Sequence, residues 1–227
     1  MRVVRGRKKN LQDDRELTNR LISDTSETRE PVVRVWRPYR QLAFGPRDAR
    51  SEGFKRAKEA ARKHGFEPVV RIVGGNAVAY TGNTVTFATT QPIEDMAKGL
   101  TERYEDITTR VQRALWDLGV PAQRGEPPNS FCEGDYSLQY NGKIVGIAQR
   151  VRKNVALVSG LVITDGHEEI RDVLRDVYNA LGVDFDPDTV GSIERAGGNS
   201  DPGEIELTIE SHLVDEEETT VAQADEI

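Results

Sequence analysis

Residues 130–150, SFCEGDYSLQYNGKIVGIAQR, decide how this chain folds. Residues 136–140 and 144–151 have the alternation and the aromatic and β-branched content of strands, and an Asn-Gly pair at 141–142 separates them. Such a pair between two alternating runs is typical of a tight β-hairpin. Residues 155–164 predict a further strand. The stretch therefore indicates a sheet with antiparallel neighbours.

Two residues of this stretch carry candidate chemistry. Cys132 follows a loop at residues 123–130 (QRGEPPNS) and precedes a strand, so its sulfur could be presented at the edge of a site. A thiolate is a strong nucleophile, and a nearby cation such as Lys143 would favour it or bind an acyl oxygen. Taken singly, a lone cysteine is more often a small buried hydrophobe, and a lone lysine more often a solvated side chain.

A second informative stretch is RIVGGNAVAYTGN at residues 71–83. Two glycines after a predicted strand allow backbone N–H groups to approach a carbonyl or a phosphate closely. The same pair also makes plain hairpin turns, and on its own it favours that interpretation.

The remaining pattern predicts an α+β fold, in which a central mixed, mostly antiparallel sheet is backed by helices. The C-terminal residues 205–213 fit a strand or a helix, and we favour a helix. Three regions are expected: a basic flexible arm at 1–9, a single domain at 10–214 and an acidic tail at 215–227. Helices are predicted near 11–22, 49–64, 94–118 and 167–181, and further strands at 31–36, 41–44, 68–73, 77–80 and 84–89.

Composition excludes several classes of protein. The 227 residues include 31 basic and 38 acidic side chains, a net charge of -7, which disfavours a general nucleic-acid binder. A chain with one cysteine cannot form an internal disulfide. We find no run of about 20 apolar residues and no secretory signal, so we expect no membrane partner and a cytoplasmic location. No metal site is expected, because the three histidines are widely separated: His64, His167 and His212.

Together, GGNAVAYTGNTVTF and the later SFCEGDYSLQYNGKIVGIAQR resemble the biotin/lipoate protein ligase superfamily. Its members carry a Gly-Gly loop after a strand, followed by a hairpin of the type Gly-Lys-x-x-Gly-x-Ala-Gln-Arg. The chain is most similar to the cysteine-dependent octanoyl/lipoyl amidotransferases, in which Ser-Phe-Cys-x-Gly-x-Tyr-x-Leu precedes Asn-Gly-Lys. The resemblance spans about residues 31–181. The residues in register are Cys132, Gly134, Tyr136, Leu138, Asn141, Gly142 and Lys143.

The resemblance implies a biotin/lipoate ligase-like catalytic domain with a narrow tunnel for a medium-chain acyl group. It implies that Cys132 forms an acyl thioester and that Lys143 holds the acyl oxygen. The loop over the acyl carboxyl or carbonyl would comprise Arg71, Gly74, Gly75, Asn76 and Ala77. The pocket lining would include Gly146, Ala148 and Gln149.

The chain also departs from the ATP-using lipoate ligases of that superfamily. Those ligases commonly have Gly-Gly-Gly-Ala-Val-x-His-Asp in the first loop, where this chain has Asn76 in place of the third glycine and Tyr80-Thr81 in place of His-Asp. They usually have His-Gly in a later strand, where this chain has Ser159-Gly160. We also expect no accessory C-terminal domain, although a separate small subunit could replace it. These differences favour the amidotransferases.

The expected function is therefore an acyltransferase of lipoate metabolism that moves an octanoyl or lipoyl group through a thioester. The acceptor would be a lysine of a lipoyl carrier, either the glycine cleavage H protein or an E2 lipoyl domain. No cofactor is expected for transfer. An ATP-dependent ligase, which would need ATP and Mg²⁺, remains an alternative, as does a non-catalytic binder of acylated carriers. Biotin ligase is disfavoured. The basic residues 150–153 fit either a docking strip for an acidic carrier or a solvated hairpin tip.

Overall fold

The computed structural model describes residues 1–214 and 218–227. Strands and helices of these residues form two sheets with helices packed against them. The strands are β1 (Arg2–Arg5), β2 (Val32–Trp36), β3 (Gln41–Phe44), β4 (Glu67–Val70), β5 (Val78–Tyr80), β6 (Val85–Pro92), β7 (Gln123–Arg124), β8 (Leu138–Gln139), β9 (Lys143–Arg152), β10 (Val155–Val162) and β11 (Thr220–Gln223). The helices are α1 (Leu11–Thr28), α2 (Phe54–Lys63), α3 (Leu100–Asp117), α4 (His167–Leu181) and α5 (Pro202–Val214).

The larger sheet has the strand order β11-β1-β2-β6-β10-β9-β8-β7 among the described residues. Strand β1 runs parallel to β11 and β2, and the other neighbouring strands are antiparallel. The smaller sheet has the order β4-β3-β5. The predicted α+β fold with a mixed, mostly antiparallel central sheet is therefore confirmed.

The hairpin predicted around the Asn-Gly pair joins β8 to β9. Asn141 and Gly142 have φ values of 53° and 117°, the left-handed conformation that such turns need. Strand β8 is shorter than predicted, because the residues before Leu138 leave the sheet to form the loop that carries the cysteine.

The predicted flexible arm at 1–9 is wrong for residues 2–5, which form strand β1 inside the sheet. Val3 and Val4 are both buried, and β1 is paired on both sides, so water solvates little of this strand. One of the charges that suggested a mobile arm is compensated, because Arg5 forms an ion pair with Glu210 of α5 at 2.6 Å. Two adjacent valines between arginines therefore form an interior strand.

The predicted acidic tail at 215–227 is wrong for residues 220–223, which form β11 alongside β1. Ala224 just after it is buried against Leu17 and Leu21 of α1. Residues 215–217 of the predicted tail lie outside the described residues. The favoured helix at 205–213 is confirmed as α5.

Helices cover both faces of the large sheet. Val33 and Val35 of β2 pack into one core with α3 and α5, whereas Trp36 packs into a separate core with Ile22 of α1. Helices α2 and α4 pack on the small sheet around Phe44. In the part of the chain that the structure describes, no helix is long and apolar enough to cross a membrane.

Candidate active site

Two loops meet at Cys132 and create the candidate site. One joins β4 to β5 and carries the Gly-Gly pair, while the other joins β7 to β8 and carries the cysteine. The first loop extends from the small sheet and the second from the edge of the large sheet. The site therefore lies between a loop from each of the two sheets.

The sulfur of Cys132 lies against a half-buried arginine. Arg71 Nη2 is 3.0 Å from Cys132 Sγ and also donates to the carbonyl oxygen of Asn76 at 2.8 Å. Burial opposes the charged form of Arg71, but attraction to Cys132 and Tyr80 raises the pKa of the guanidinium. A guanidinium that stays charged at hydrogen-bond distance stabilises a thiolate.

Gly75 lets the two loops approach this closely. Its φ of 88° is the left-handed conformation that glycine adopts freely. A β-carbon built at Gly75 would overlap the Cys132 sulfur and lie 2.7 Å from Arg71 Nη2. Only glycine fits here, so the second glycine of the pair has a reason beyond a hairpin turn.

Tyr178 of α4 ties both loops to the core. Its hydroxyl donates to the carbonyl oxygen of Ala77 at 3.1 Å and accepts from the backbone N–H of Cys132 at 2.7 Å. Burial, and then the charge of the neighbouring Cys132, raise the pKa of the Tyr178 phenol well above its usual value. The phenol therefore keeps the proton that it donates to Ala77.

Lys143, at the start of β9, reaches under the cysteine loop. Its ammonium donates to Glu126 Oε1 at 2.8 Å and to the carbonyl oxygens of Phe131 at 2.9 Å and Cys132 at 2.8 Å. Its side chain is 1% exposed. The resemblance implied a contact between Lys143 and the acyl oxygen, but in this structure the three N–H bonds point at protein oxygens.

A cavity of about 210 Å³ opens beside Cys132. It is bounded by the two loops and by the middle of β9 and β10, where small residues leave space. No residue larger than glycine fits at position 160 of β10, because a β-carbon at Gly160 would overlap the ring of Phe87. The predicted site residues that line the cavity are Arg71, Gly74, Gly75, Cys132, Lys143, Gly146, Ala148 and Gln149.

Asn76 and Ala77, also predicted to belong to the loop over the acyl group, anchor that loop to the rest of the protein. Asn76 Nδ2 donates to Asp48 Oδ1 at 3.1 Å, and Asp48 Oδ2 accepts from the N–H of Gly45 at 3.0 Å. Burial raises the pKa of the Asp48 carboxyl. Ala77 is fully buried, and its carbonyl accepts from Tyr178. Both residues lie behind the cavity lining that the structure describes.

Gln149 lies at the rim, where helix α3 meets β9. Its N–H donates to the hydroxyl of Tyr104 at 2.8 Å, and its Oε1 accepts from Arg103 Nε at 2.6 Å. The ring of Tyr104 stacks on Tyr136 of the cysteine loop, with centroids 4.1 Å apart and planes 4° apart. This stack connects α3 to the loop that carries Cys132.

Arg150 of the predicted docking strip points inward rather than to a partner. Its guanidinium donates to the carbonyl oxygen of Ile72 in the Gly-Gly loop. It therefore supports the loop beside Arg71, while Lys153 at the hairpin tip is exposed.

The histidines lie away from the cysteine. His64 pairs with Asp176 at 2.8 Å, and His212 pairs with Asp117 at 2.7 Å. None of the described residues that line the cavity is a histidine. The charged partner of the sulfur is therefore an arginine, and a cysteine–histidine pair is not present in the described site.

Sequence reasoning missed Tyr178, Glu126 and Tyr104. Tyr178 lies in the predicted helix 167–181, but its apolar neighbours gave no reason to separate it from the core. Glu126 lies in a loop that was identified only by its composition. Each acts through a contact between segments distant in sequence, which spacing within one segment does not reveal.

Residues 9–210 match the family described as the lipoyl protein ligase A/B catalytic domain. This match covers most of the chain, so the protein belongs to that family. Its fold and its loops are thus those of a catalytic domain related to lipoate ligases, as the sequence motifs indicated.

Curated relatives with similar sequences have names that describe transferases. An octanoyl-[GcvH]:protein N-octanoyltransferase of Exiguobacterium sp. is 29% identical over 164 residues, covering 71% of this chain and 58% of the relative. A lipoyl-[GcvH]:protein N-lipoyltransferase of Listeria monocytogenes is 27% identical over 174 residues, covering 71% of this chain and 62% of the relative. The chain thus spans about three fifths of the length of these relatives.

The fold has solved counterparts. A crystal structure of lipoate-protein ligase A bound with ATP superposes with a TM-score of 0.72 at 16% identity, covering 97% of this chain and 88% of that one. At this identity the similarity establishes the shared fold.

Proposed function

We propose that this protein is an acyltransferase of lipoate metabolism, which moves an octanoyl or lipoyl group through a Cys132 thioester onto a lysine of a lipoyl carrier domain. The observation that carries the proposal is the Cys132 sulfur, 3.0 Å from Arg71 Nη2 at the edge of a 210 Å³ cavity. The names of the relatives, which transfer octanoyl or lipoyl groups, support it.

In the first half-reaction the Cys132 thiolate attacks the carbonyl carbon of an acyl-lysine on the donor carrier. A C–S bond forms and the C–N bond breaks, so that the donor lysine leaves as an amine. The proton lost by the thiol balances the proton that the amine gains. Arg71 stabilises the thiolate before the attack.

In the second half-reaction the amine of an acceptor lysine attacks the thioester carbonyl. The C–N bond of the new amide forms, the C–S bond breaks, and the thiol recovers a proton that the attacking amine releases. Attack and departure take place on the same carbon, so both carriers must present their lysine at the same opening.

The tetrahedral intermediate of each half-reaction carries a negative oxygen. We propose that the backbone N–H groups of the Gly74–Gly75 segment and the Arg71 guanidinium stabilise it, since both lie beside the sulfur. Lys143 supports the cysteine loop from below in the geometry described. Direct contact between Lys143 and the acyl oxygen stays a prediction.

The acyl chain is proposed to lie along the cavity between β9 and β10, over Gly146 and Ala148. Burying such a chain contributes about 0.8 kcal/mol for each methylene. We further propose that transfer needs no nucleotide or metal and takes place in the cytoplasm. The proposed carriers are the glycine cleavage H protein and E2 lipoyl domains.

The test is transfer of an octanoyl group from an octanoylated carrier to an unmodified carrier, with and without ATP. We expect transfer without ATP, and none from the Cys132→Ala variant. AMP release from ATP and free lipoate, with unchanged activity of the variant, would instead identify an ATP-dependent ligase. Binding of the acylated carrier without turnover would identify a non-catalytic binder.

A further inference from the structure

We propose that Glu126 is a positioning residue, which acts through Lys143 to fix Cys132 in its reactive place. The inference rests on the proposed function, because it concerns how the same nucleophile is held. It assigns a role in transfer to a loop residue outside the cavity lining that the structure describes.

The nucleophile has a strained backbone. Cys132 has a φ of 45°, in the left-handed region that residues other than glycine seldom adopt. Such a conformation persists only when surrounding contacts impose it, and residues of this kind are concentrated at functional sites. Contacts with surrounding groups must therefore hold Cys132 in this conformation.

Lys143 supplies two of the contacts. Its ammonium binds the carbonyl oxygens of Phe131 and Cys132, on the two sides of the strained residue. Two consecutive carbonyls that converge on one cation fix the two peptide planes that flank Cys132, and with them its backbone angles. Lys143 thus determines the direction in which the Cys132 side chain leaves the loop.

Glu126 is the charged partner that keeps Lys143 there. Its carboxylate binds the ammonium through both oxygens, at 2.8 and 3.1 Å, and its side chain is 18% exposed. A buried ammonium needs an opposite charge, since desolvation otherwise penalises it heavily. Without Glu126, Lys143 loses the partner that compensates its burial.

Glu126 also reaches the far side of the cysteine. Its Oε2 lies 3.4 Å from the backbone N of Gly134. The carboxylate thus links Lys143, below Phe131 and Cys132, to the residue two positions after the nucleophile. The pair Glu126–Lys143 spans the loop and aims the sulfur at Arg71.

The test compares Glu126→Gln and Glu126→Asp with the unchanged protein and with Asp135→Asn as a control. Asp135 is an exposed carboxylate of the same loop, outside the contacts of Lys143. Single-turnover octanoylation of Cys132 is followed by intact mass at several concentrations of octanoylated carrier. Circular dichroism confirms that each variant is folded at the assay temperature.

We expect Glu126→Gln to lower the saturating rate roughly 100-fold, the effect of a misplacement of about 1 Å. The carrier concentration that gives half the rate should stay unchanged, because the cavity is intact. Glu126→Asp, which keeps the charge, should recover much of the rate, and Asp135→Asn should match the unchanged protein. Alkylation of Cys132 by iodoacetamide should slow in Glu126→Gln as well.

A folded Glu126→Gln variant with the saturating rate and alkylation rate of the unchanged protein would overturn the inference alone. So would a stability loss without a change in either rate, since it would indicate a purely structural role. If the unchanged protein forms no adduct with any carrier, the proposed function fails, and the inference fails with it.

Discussion

Gly75 lies so close to Cys132 that a β-carbon added at Gly75 would overlap the Cys132 sulfur. They are separated by more than fifty residues and belong to loops from two different sheets. Arg71 lies at the same point and binds the sulfur. The contact therefore joins the Gly-Gly loop and the loop that carries Cys132 into one site.

Replacement of Gly75 by alanine should abolish transfer. The added methyl group overlaps the Cys132 sulfur and crowds Arg71, so the two loops must separate. The positive φ adds backbone strain, and we expect a loss of about 1–2 kcal/mol in the free energy of unfolding. Octanoyl transfer and urea unfolding measure the two effects.

Gly82 provides the matched control for that variant. It has a φ of 99°, yet a β-carbon there meets no atom within 4 Å. Gly82→Ala should lose similar stability and keep its transfer activity. If Gly75→Ala kept as much transfer activity as Gly82→Ala and the unchanged protein, the contact between Gly75 and Cys132 would be dispensable.

Replacement of Arg71 by lysine should slow the reactions of Cys132. A lysine keeps the charge but loses the planar group that binds the sulfur and the Asn76 carbonyl together. We expect thiol alkylation at neutral pH to slow about tenfold or more. Because Cys132 is the only cysteine, the labelling rate reports this site alone. An unchanged rate would exclude Arg71 as the group that activates the thiol.

Replacement of Tyr178 by phenylalanine removes the hydroxyl that bridges the two loops. The Ala77 carbonyl and the Cys132 N–H then lose a partner in a buried position. We expect a loss of about 1–3 kcal/mol in the free energy of unfolding, together with slower transfer. Tyr140→Phe is the comparison, since Tyr140 packs against the core that includes residues of α3 and α5. Equal effects of the two variants would contradict a bridging role.

Replacement of Ala148 by leucine should shorten the acyl chain that the cavity accepts. The larger side chain fills space between β9 and β10, where the chain is proposed to lie. Excluding two methylenes costs about 1.6 kcal/mol, which is roughly a fifteenfold loss in binding of an octanoyl group. The rate of transfer from a butanoyl donor should be the same in Ala148→Leu as in the unchanged protein. Equal losses for both donors would mean that the chain lies elsewhere.

Much of the fold could be predicted because its elements have a clear period. Helix α4 has the predicted bounds, since Ile170, Val173, Leu174 and Val177 recur at helical spacing between two glycines. Helix α3 begins later than predicted, at Leu100, because Gly99 with φ 71° interrupts the pattern. The sequence pattern did not predict the terminal strands β1 and β11, because each strand is short and has charged residues in or beside it. Their pairing with each other is a property of the folded chain.

The candidate site was predictable where one segment contains the motif, and less so where two segments meet. Cys132, Gly75 and the small residues of β9 were found from their motifs, and all of them line the cavity. The different contacts of the two cations, Arg71 and Lys143, could not be predicted from the motifs. Lys143 was expected at the acyl oxygen, whereas Arg71, sixty-one positions before the cysteine, contacts the sulfur. Only the folded arrangement of the two sheets reveals that contact.

Intact-protein mass spectrometry after mixing the protein with an octanoylated carrier, without ATP, shows whether Cys132 carries the acyl group during transfer. We predict a gain of one octanoyl group on Cys132, which hydroxylamine removes and which is absent from Cys132→Ala. A protein that gains no mass with any carrier, and releases AMP from ATP and lipoate, would contradict this prediction. Cys132 would then be a packing residue beside the site of a ligase.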